Sequence, residues 1–595
     1  MSSSTKKSIL LKFLIWRYRH ISTKNFVLVL SILVGFCAGL ISLLLKNITH
    51  LIQVVLESDI ISWQTSFYFI IPVIGLLIVY VITKFIFKKD IKSAIPLILY
   101  ALSKKDGKIR PVSGYLPLLL APITVGFGGS VGLLGPAVGS GSTLSSSISR
   151  VFKLDTKTRF LLIGCAAAGA ISAVFKSPLA GLVFAVEIFS LDLTLTSLLP
   201  LLFASVSSII TSYFFLGDEV LFRFQVLEKF DIYDTPFYVI LGVGTAIASI
   251  YFTKMYFGIL SFFDRFPKKI HRLLIGGFAI GVMLYFIPPL YGEGLGFIND
   301  LLNGNHLAAI GNTPFDNMTN NIWMIIALLT GITIFKAIAM TATFGAGGSG
   351  GIIIPTLVMG SALGNVVAKI INNIGIGFQV SEANFTLLGM AGLIAGVLHA
   401  PLTSIFLIAE ITTSYELFVP LMITTSISFI ISKNSIEHNI YTRSLAERGL
   451  LLTHDKDQTV LTLMKLDDCI ETNFISVPPH YTLKQLLSEA VAKSNRNLFP
   501  VIDESNTLLG IVTLDNIRDI MFDVSLYHKT TVEMLMIQVE TSIIYESDDA
   551  KKAMRKFQDT GAWNLPVIKD GKYFGFISKS KLLTAYRRKL IHFTR

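Results

Sequence analysis

Charged side chains are scarce in this sequence, since Asp, Glu, Lys and Arg make up 15% of its 595 residues, whereas a typical soluble protein has about 25%. The deficit lies before Ser432, where long apolar stretches follow one another, and the chain after Ser435 has a soluble composition. Several apolar stretches are long enough to cross a hydrocarbon core of about 30 Å as helices; examples are 25–45, 67–87, 238–257 and 322–339. A wholly soluble protein is excluded, and we expect a multi-pass α-helical membrane domain with a soluble tail.

Cysteine is also rare, with Cys37, Cys165 and Cys469 as its three positions. Their spacing predicts neither a disulfide framework nor a zinc site, so we interpret all three as core thiols. The sequence shows no pairing of nucleophile and base and no cluster of metal ligands that would favour an enzyme. It also lacks the basic, aromatic-rich face of a nucleic-acid-binding protein. We expect no enzyme activity, no metal site, no required cofactor and no nucleic-acid partner.

The net charge of +12 has its main source in lysines and arginines that flank the first apolar stretches. Because cytoplasmic loops of membrane proteins are rich in Lys and Arg, this pattern predicts a cytoplasmic N-terminal segment, residues 1–25. The first apolar run is too long for the core of a signal peptide and ends without a small-residue cleavage site. We expect a protein of a bacterial inner membrane, surrounded by membrane lipid.

The membrane part repeats itself. Residues 168–187 and 391–410 share Ala, Gly, Ile, Val, Pro, Leu and Glu in register, with Pro178 aligned to Pro401. The glycine-rich segments 129–136 and 348–355 match at nearly the same spacing along the chain. Two matches at nearly one spacing favour two structural repeats, about 26–216 and 237–450, over a chance likeness between apolar helices. Transporters of this kind bind substrate between the repeats, where broken helices direct their N-termini toward an anion.

Both glycine-rich segments suit an anion site. Glycine lets a ligand approach the backbone N–H groups, and Pro136 and Pro355 fit the first turn of a helix. The start of a helix carries unpaired N–H groups and a partial positive charge, so it binds an anion without a cationic side chain. Neither segment contains Lys or Arg. We therefore expect weak binding and rapid passage.

Over residues 27–449 the sequence resembles the CLC family of chloride channels and chloride/proton antiporters. The family motifs G-S-G-I-P, G-[KR]-E-G-P and G-x-F-x-P have counterparts here at 92–96, 132–136 and 351–355. The resemblance implies the CLC fold, a membrane domain of two inverted repeats with broken helices. It also implies chloride as the transported ion and a homodimer with one pore in each subunit.

The resemblance implies four chloride-binding residues. Ser93 takes the place of the serine whose hydroxyl contacts the central anion, although both motif glycines are missing around it, and by itself this serine is interpreted as a helix N-cap. Ile352 and Ile353 would bind through their backbone N–H groups, so the change from the family's Phe to Ile353 matters little. Tyr441 matches the tyrosine that closes the site from the cytoplasm, whereas a lone tyrosine there is usually an interfacial anchor.

The second motif departs from the family pattern. Leu133, Leu134 and Gly135 form the implied outer anion site, and Leu134 stands where the family has its gating glutamate. Ile188 follows Glu187 where antiporters carry an inner proton-transfer glutamate. Neither apolar side chain can carry a proton. We expect passive chloride conduction regulated by the tail, with Leu134 either opening or plugging the outer path. The alternative is a chloride/proton antiporter with a non-standard proton path.

Glu187 and Glu410 recur at equivalent positions of the two repeats. A carboxylate buried in a membrane domain is costly and needs a partner. We therefore prefer a structural pairing role in each repeat over a role in transport.

The tail contains a second repeat, because Pro500 and Pro566 lie in similar apolar segments, and Gly510 and Gly575 follow them at nearly the same spacing. Each unit is predicted to have the order strand–helix–strand–strand–helix. The pair resembles α/β CBS domains, at about 466–522 and 531–588. In the family such pairs lie at the cytoplasmic face and can bind adenine nucleotides.

The nucleotide motif of the tail is incomplete. Thr513, Asp515 and Ser578 are the candidate binding residues, but Asn516 and Lys581 stand where the motif has its ribose-binding acid. The tail is thus expected either to bind an adenine nucleotide or only to stabilise a dimer.

A nucleotide-regulated cation transporter, or a sensor without flux, is a further alternative for the function of the whole protein. A cation path would require carboxylates or carbonyls facing the pore, and the two glycine-rich segments contain no acid.

Overall fold

The computed structural model describes residues 12, 14–59, 69–88, 93–191, 194–217, 230–309, 321–375, 377–412, 415–448, 460–461, 464 and 466–594. The chain divides into two compact units, Met1–Leu450 and Leu451–Arg595. Residues 1–11 and 13 of the expected N-terminal segment, and Lys92 of the first motif, lie outside the described residues. The first unit contains the apolar part of the sequence, and the second contains the soluble part.

Helices build the first unit. In chain order they are α1 (Thr23–Asp59), α2 (Ile71–Val81), α3 (Ala94–Lys104), α4 (Pro111–Gly126), α5 (Leu134–Val151), α6 (Thr156–Phe175), α7 (Pro178–Phe189), α8 (Leu195–Leu216), α9 (Thr235–Asp264), α10 (Lys269–Phe286), α11 (Leu295–Leu302), α12 (His306–Ala309), α13 (Ile322–Gly345), α14 (Ile353–Asn373), α15 (Glu382–Leu398), α16 (Pro401–Ile411), α17 (Phe418–Ser435) and α18 (Arg443–Ala446). Seven helices of the described residues are long and apolar enough to cross a membrane, and others, including α4 and α7, are shorter. Long and short apolar helices together make the predicted multi-pass membrane domain.

Corresponding helices of the two repeats begin and end in the same way. Lys176 after α6 and His399 after α15 both take the left-handed conformation, with φ of 55° and 54°. The next helices, α7 and α16, then begin at Pro178 and Pro401, because proline is well tolerated in a first helical turn. The same unit of helix, turn and short helix is therefore built twice, as the sequence repeat predicts.

Equivalent residues of the two repeats also bond each other reciprocally. The Ser130 N–H donates to Thr343 Oγ1 at 3.2 Å, and the Ser349 N–H donates to Thr124 Oγ1 at 3.1 Å. Ser130 corresponds to Ser349, and Thr124 to Thr343, in the alignment that matches the two glycine-rich segments. A bond that runs in both directions between equivalent residues is what a local two-fold axis produces, as in an inverted repeat.

Glu187 and Glu410 form a second reciprocal arrangement. Glu187, near the end of α7, accepts hydrogen bonds at 3.0 and 2.8 Å from two backbone N–H groups in the first turn of α16. Glu410, near the end of α16, accepts two at 3.0 and 2.9 Å from the first turn of α7. Each carboxylate satisfies N–H groups that a helix cannot bond internally. The predicted structural role of both residues is confirmed, and the partner of each is the opposite repeat.

The second unit is α/β. Its elements are β1 (Ile470–Glu471), α19 (Leu483–Gln485), β2 (Leu498–Ile502), β3 (Leu508–Thr513), α20 (Leu514–Ile517), α21 (Val532–Leu535), β4 (Ile543–Ile544), α22 (Ala550–Thr560), β5 (Asn564–Lys569), β6 (Lys572–Ser578) and α23 (Lys579–Thr594). The strands form one sheet with the order β1-β6-β5-β4 and another of β2 and β3. Separate apolar cores lie beneath the two sheets.

The two tail repeats share their register. The hairpins β2–β3 and β5–β6 have irregularities at corresponding positions, Val501/Ile502 and Val567/Ile568. Strand β4 runs parallel to β5, and in the first repeat a single parallel bridge between Val477 and Val501 replaces this pairing. The predicted order of strands and helices is confirmed in the second repeat, while the opening strand of the first is reduced to one bridge.

Each tail repeat also receives a segment from the beginning of the other. β1, near the start of the first repeat, pairs antiparallel with β6 of the second, through Ile470 and Ile577. Ile537, near the start of the second repeat, bridges antiparallel to Ile511 of β3. This exchange joins the repeats into one body, so neither completes its sheet alone.

Candidate anion site

Two glycine-rich turns meet at the centre of the membrane unit. We call residues 129–133, before α5, the first turn and residues 348–352, before α14, the second turn. Gly132 and Gly351 form an antiparallel bridge in which the Gly132 N–H donates to the Gly351 carbonyl at 2.9 Å and the Gly351 N–H donates to the Gly132 carbonyl at 2.6 Å. The starts of α5 and α14 are therefore held together, as the sequence predicted.

Glycine is required where the turns touch. A Cβ atom on Gly351 would lie 2.7 Å from the backbone nitrogen of Gly135, and one on Gly135 would lie 2.9 Å from Cα of Gly351. Real Cβ atoms essentially never approach backbone so closely. Gly135 therefore contributes to the site by its lack of a side chain.

The start of α14 presents the N–H groups expected to bind chloride. Ile352 is the N-cap of the helix and Ile353 its first residue, and both side chains are buried. Within the described part of the chain, no acceptor bonds to the backbone N–H of either residue. Their donors stay unpaired because the first N–H groups of a helix have no partner within it.

Ser93 lies at the start of α3, beside α5. It is the N-cap residue of α3, but its side chain makes no capping hydrogen bond. The helices approach closely where Ala94 faces Gly139, since a Cβ on Gly139 would lie 2.5 Å from the Ala94 Cβ. The Ser93 hydroxyl thus makes no hydrogen bond to the start of its own helix, which keeps it available to a ligand.

Tyr441 is held in a buried turn after α17. The Asn439 side-chain oxygen accepts from the N–H groups of Tyr441 and Thr442 at 3.0 and 2.9 Å, and its amide donates to the Leu398 carbonyl. The following helix, α18, contacts α3, which begins next to Ser93. Tyr441 is 3% exposed. The fold thus brings the helix after Tyr441 and the helix after Ser93 into contact although they are far apart in the sequence.

The two positions without the family's carboxylates are apolar and buried. Leu134 is the first residue of α5 and is 1% exposed, and its neighbour Leu133 is the N-cap. Ile188 is buried in α7. Leu133 lines the cavity at the first turn, whereas Ile188 is not among its lining residues.

Sequence reasoning missed an acid at the first turn. A carboxylate oxygen of Glu293, which precedes α11, accepts a hydrogen bond from the Leu133 N–H at 2.7 Å. The two glycine-rich segments themselves contain no acid, as expected, but tertiary folding brings a carboxylate to the first turn from 160 residues away. The available signal was an acid between two glycines in an apolar region, since ionisable residues in membrane domains are functional candidates.

The structure does not join the candidate nucleotide residues of the tail. Thr513 caps α20 by accepting from the Asn516 N–H, and Asp515 pairs with Arg518. Ser578 instead contacts Glu471, which also pairs with Lys581 at 3.6 Å. Among the described residues, no hydrogen bond connects Thr513 or Asp515 with Ser578.

A family model described as "Voltage gated chloride channel" matches residues 74–433, more than half of the chain. The chain belongs to this family. Models of the CBS domain match residues 466–523 and 538–588, so the tail is a pair of CBS domains. The family consists of channels and transporters rather than enzymes, and this membership makes the chain an integral multi-pass membrane protein.

Relatives within the chloride channel family include proteins named as exchange transporters and one named as a chloride channel. The "H(+)/Cl(-) exchange transporter ClcA" of Vibrio cholerae is 27% identical over 419 residues, which cover 67% of this chain and 84% of that protein. The "Putative chloride channel protein ClcB-like" of Ralstonia nicotianae is 26% identical over 352 residues, which cover 58% of this chain and 78% of that protein.

Solved structures of the same family share the fold. A slow cyanobacterial Cl⁻/H⁺ antiporter has 21% identity and a TM-score of 0.58, covering 72% of this chain and 98% of its own. A eukaryotic CLC transporter has 16% identity and a TM-score of 0.58, covering 94% of this chain and 99% of its own. The membrane fold and the CBS pair agree with those expected from the sequence.

Proposed function

We propose that this protein conducts chloride passively through a path formed by Ser93, Tyr441 and the starts of α5 and α14. The observation that carries the proposal is Leu134, a buried apolar residue at the first position of α5. Its position corresponds to that of the gating glutamate in the family, and leucine can neither compete with chloride as an anion nor carry a proton. Ile188 stands at the second position where antiporters of the family carry a proton, and its side chain likewise has no titratable group.

The chemistry of the path favours chloride over a cation. The unpaired N–H groups of Ile352 and Ile353 supply partial positive charge at a helix start, and the Ser93 hydroxyl is not used as a cap. Hydroxyl and N–H donors replace part of the hydration shell of an anion without binding it as strongly as a cationic side chain would. Tyr441 contributes the hydroxyl that closes the site on the cytoplasmic side.

The setting of the protein is part of the proposal. We place it as a homodimer in a bacterial inner membrane, with the N-terminus and the CBS pair in the cytoplasm. The CBS pair regulates conduction. An adenine nucleotide at Thr513 and Asp515, or at Ser578, is one mode of regulation, and a purely dimer-stabilising tail is the other.

A specific observation favours chloride/proton exchange as the second candidate. The Glu293 carboxylate lies at the first turn, where it supplies the titratable group that Leu134 lacks. Exchange requires such a group in the anion path, because a proton must bind to a side chain in order to cross. The exchange transporters among the relatives make this candidate the natural competitor.

The deciding experiment follows chloride efflux and internal pH together in liposomes that contain the purified protein. Passive conduction predicts that chloride moves down its gradient while protons follow only the resulting voltage. Uptake of protons against their gradient, driven by chloride, would reject conduction in favour of exchange. Absence of chloride movement from pH 5 to pH 7.5 would reject both candidates. Liposomes without protein give the background leak.

A further inference from the structure

The two turns carry the same backbone donors but have different neighbours. At the second turn, no acceptor among the described residues bonds to the N–H of Ile352. At the first turn, the equivalent N–H of Leu133 donates to Glu293 at 2.7 Å. A carboxylate therefore occupies a donor that an anion at the start of α5 would use.

The segment just before Glu293 is held both by α13 and by the first turn. The fully buried Lys336 of α13 donates through Nζ to the carbonyls of Leu290 at 3.2 Å and Gly292 at 3.1 Å. The Leu290 carbonyl also accepts from the Ser130 hydroxyl of the first turn at 2.7 Å. These bonds tie the backbone on the N-terminal side of Glu293 to the membrane core. The Glu293 side chain, by contrast, lies at the edge of a cavity.

Space and charge surround the Glu293 carboxylate. It lines a cavity together with Leu133, Lys46 of α1 and Lys176 after α6. Lys336 and Lys46 interact with it electrostatically, and Lys176 is a further cationic residue of the cavity lining. Positive charge near the carboxylate would attract chloride whenever the carboxylate is neutral or displaced.

We propose that Glu293 is the gate of the outer anion site: its carboxylate excludes chloride from the Leu133 N–H and must move into the neighbouring cavity for chloride to pass. The proposal rests on the proposed chloride transport. The anionic carboxylate and chloride compete for one donor and one positive environment. Protonation removes the charge of the carboxylate and weakens its attraction to the lysines, so chloride flux rises on acidification.

The test is Glu293→Gln, which keeps a side chain of nearly the same shape but removes its charge. We expect chloride flux at pH 7.5 to increase roughly tenfold, as for a gate that leaves the conducting state about one-tenth populated. The rise of flux between pH 7.5 and pH 5 should disappear. If the wild-type protein exchanges protons, Glu293→Gln should keep chloride movement and lose proton movement.

Glu410→Gln is the matched control. Glu410 also accepts hydrogen bonds from backbone N–H groups at a helix start, but it lies outside the cavity of Glu293. This variant should lower thermal stability and leave the pH profile of flux unchanged. A role for Glu293 as a structural cap alone predicts the same result for both variants.

The outcomes separate this inference from the proposed function. Wild-type flux with an unchanged rate and pH profile in Glu293→Gln overturns the gate and leaves chloride transport intact. Flux in Glu293→Gln from a silent wild-type protein supports both. Silence of both proteins overturns the transport and, with it, the gate. If Glu293→Gln does not fold, Glu293→Asp shortens the side chain and should raise flux while keeping its pH dependence; an unchanged rate then overturns the gate.

Discussion

The first and second turns have nearly the same backbone, since Gly132 pairs with Gly351 and the equivalent bonds of Ser130 and Ser349 run in both directions. Their chemistry is nevertheless different. The N–H of Leu133 is bonded to a carboxylate, whereas that of Ile352 is not bonded by any described residue. An inverted repeat thus provides two equal backbone frames, and residues outside the repeat motif decide which helix start keeps its N–H groups unpaired among the described residues.

The same comparison shows that a chain with leucine at position 134 still has an acid at the first turn. Leu134 and Ile353 are equivalent first residues of α5 and α14, and both are apolar and buried. The acid comes instead from the segment before α11. The backbone frame and the titratable group are therefore supplied by separate parts of the sequence.

The largest effect should come from breaking the contact between the turns. Gly351→Val places a side chain against the backbone of Gly135, and overpacking of this kind costs about 1–3 kcal/mol. We expect loss of chloride flux together with a lower thermal unfolding temperature in detergent. Gly296→Val is the control, because a Cβ on Gly296 of α11 meets no atom within 4 Å. Normal flux in Gly351→Val would mean that the turns tolerate separation.

The next largest effect tests whether the equivalent carboxylates Glu187 and Glu410 stabilise the two repeats equally. Replacing either by Ala should lower the free energy of unfolding by about 2 kcal/mol, because two N–H groups at the start of a helix lose their carboxylate acceptor. Glu187→Ala should cost more than Glu410→Ala, since the Thr403 hydroxyl also donates to Glu187. Thermal unfolding of the purified protein measures the difference. Equal losses would show that the Thr403 bond contributes nothing to stability.

A third prediction adds an acid to each turn. Leu134→Glu should slow chloride flux and make it more strongly pH-dependent, because a second carboxylate would compete with chloride at the start of α5. Ile353→Glu places the same group at the equivalent position of α14 and should inhibit flux as well. Liposome flux between pH 5 and pH 7.5 tests both. Unchanged flux in Leu134→Glu would show that Leu134 does not line the path.

The smallest effect concerns a carboxylate of the tail, in contrast with Glu293. Burial raises the pKa of Glu471. The hydrogen bond and charge of Arg496 and the charge of Lys581 lower it by more than burial raises it, so the pKa lies below the ordinary value. The ion pairs therefore stabilise the tail above pH 4.5, and this contribution is lost as the pH falls through the lowered pKa.

Glu471→Gln should accordingly destabilise the tail at pH 7 by less than about 1 kcal/mol, as expected for partly exposed pairs. The loss should shrink as the pH falls through the lowered pKa of Glu471. Hydrogen exchange of β1 and β6 in the whole protein measures the loss of stability at pH 7 and its decrease at lower pH. A loss that does not depend on pH would show that the charge of Glu471 is not what stabilises the strands.

Patterns that depend on the order of residues could be predicted. The apolar stretches, the nearly constant spacing between the repeated segments and the Pro-started helices led to the membrane fold, because each follows from local conformation and from matching segments. The tail repeat likewise predicted the β2–β3 and β5–β6 hairpins. The pairing role of Glu187 and Glu410 was predicted from their recurrence, but not that each caps a helix of the opposite repeat.

Contacts between distant segments were decided by the tertiary structure. The sequence by itself determined the two glycine-rich helix starts and the apolar Leu134, since these depend on neighbouring residues. It did not determine that Glu293 would bond to Leu133 across 160 residues, or that Lys336 would hold the segment in place. The reason is physical: backbone donors at a helix start are fixed by local conformation, whereas the acceptor that reaches them depends on how whole helices pack.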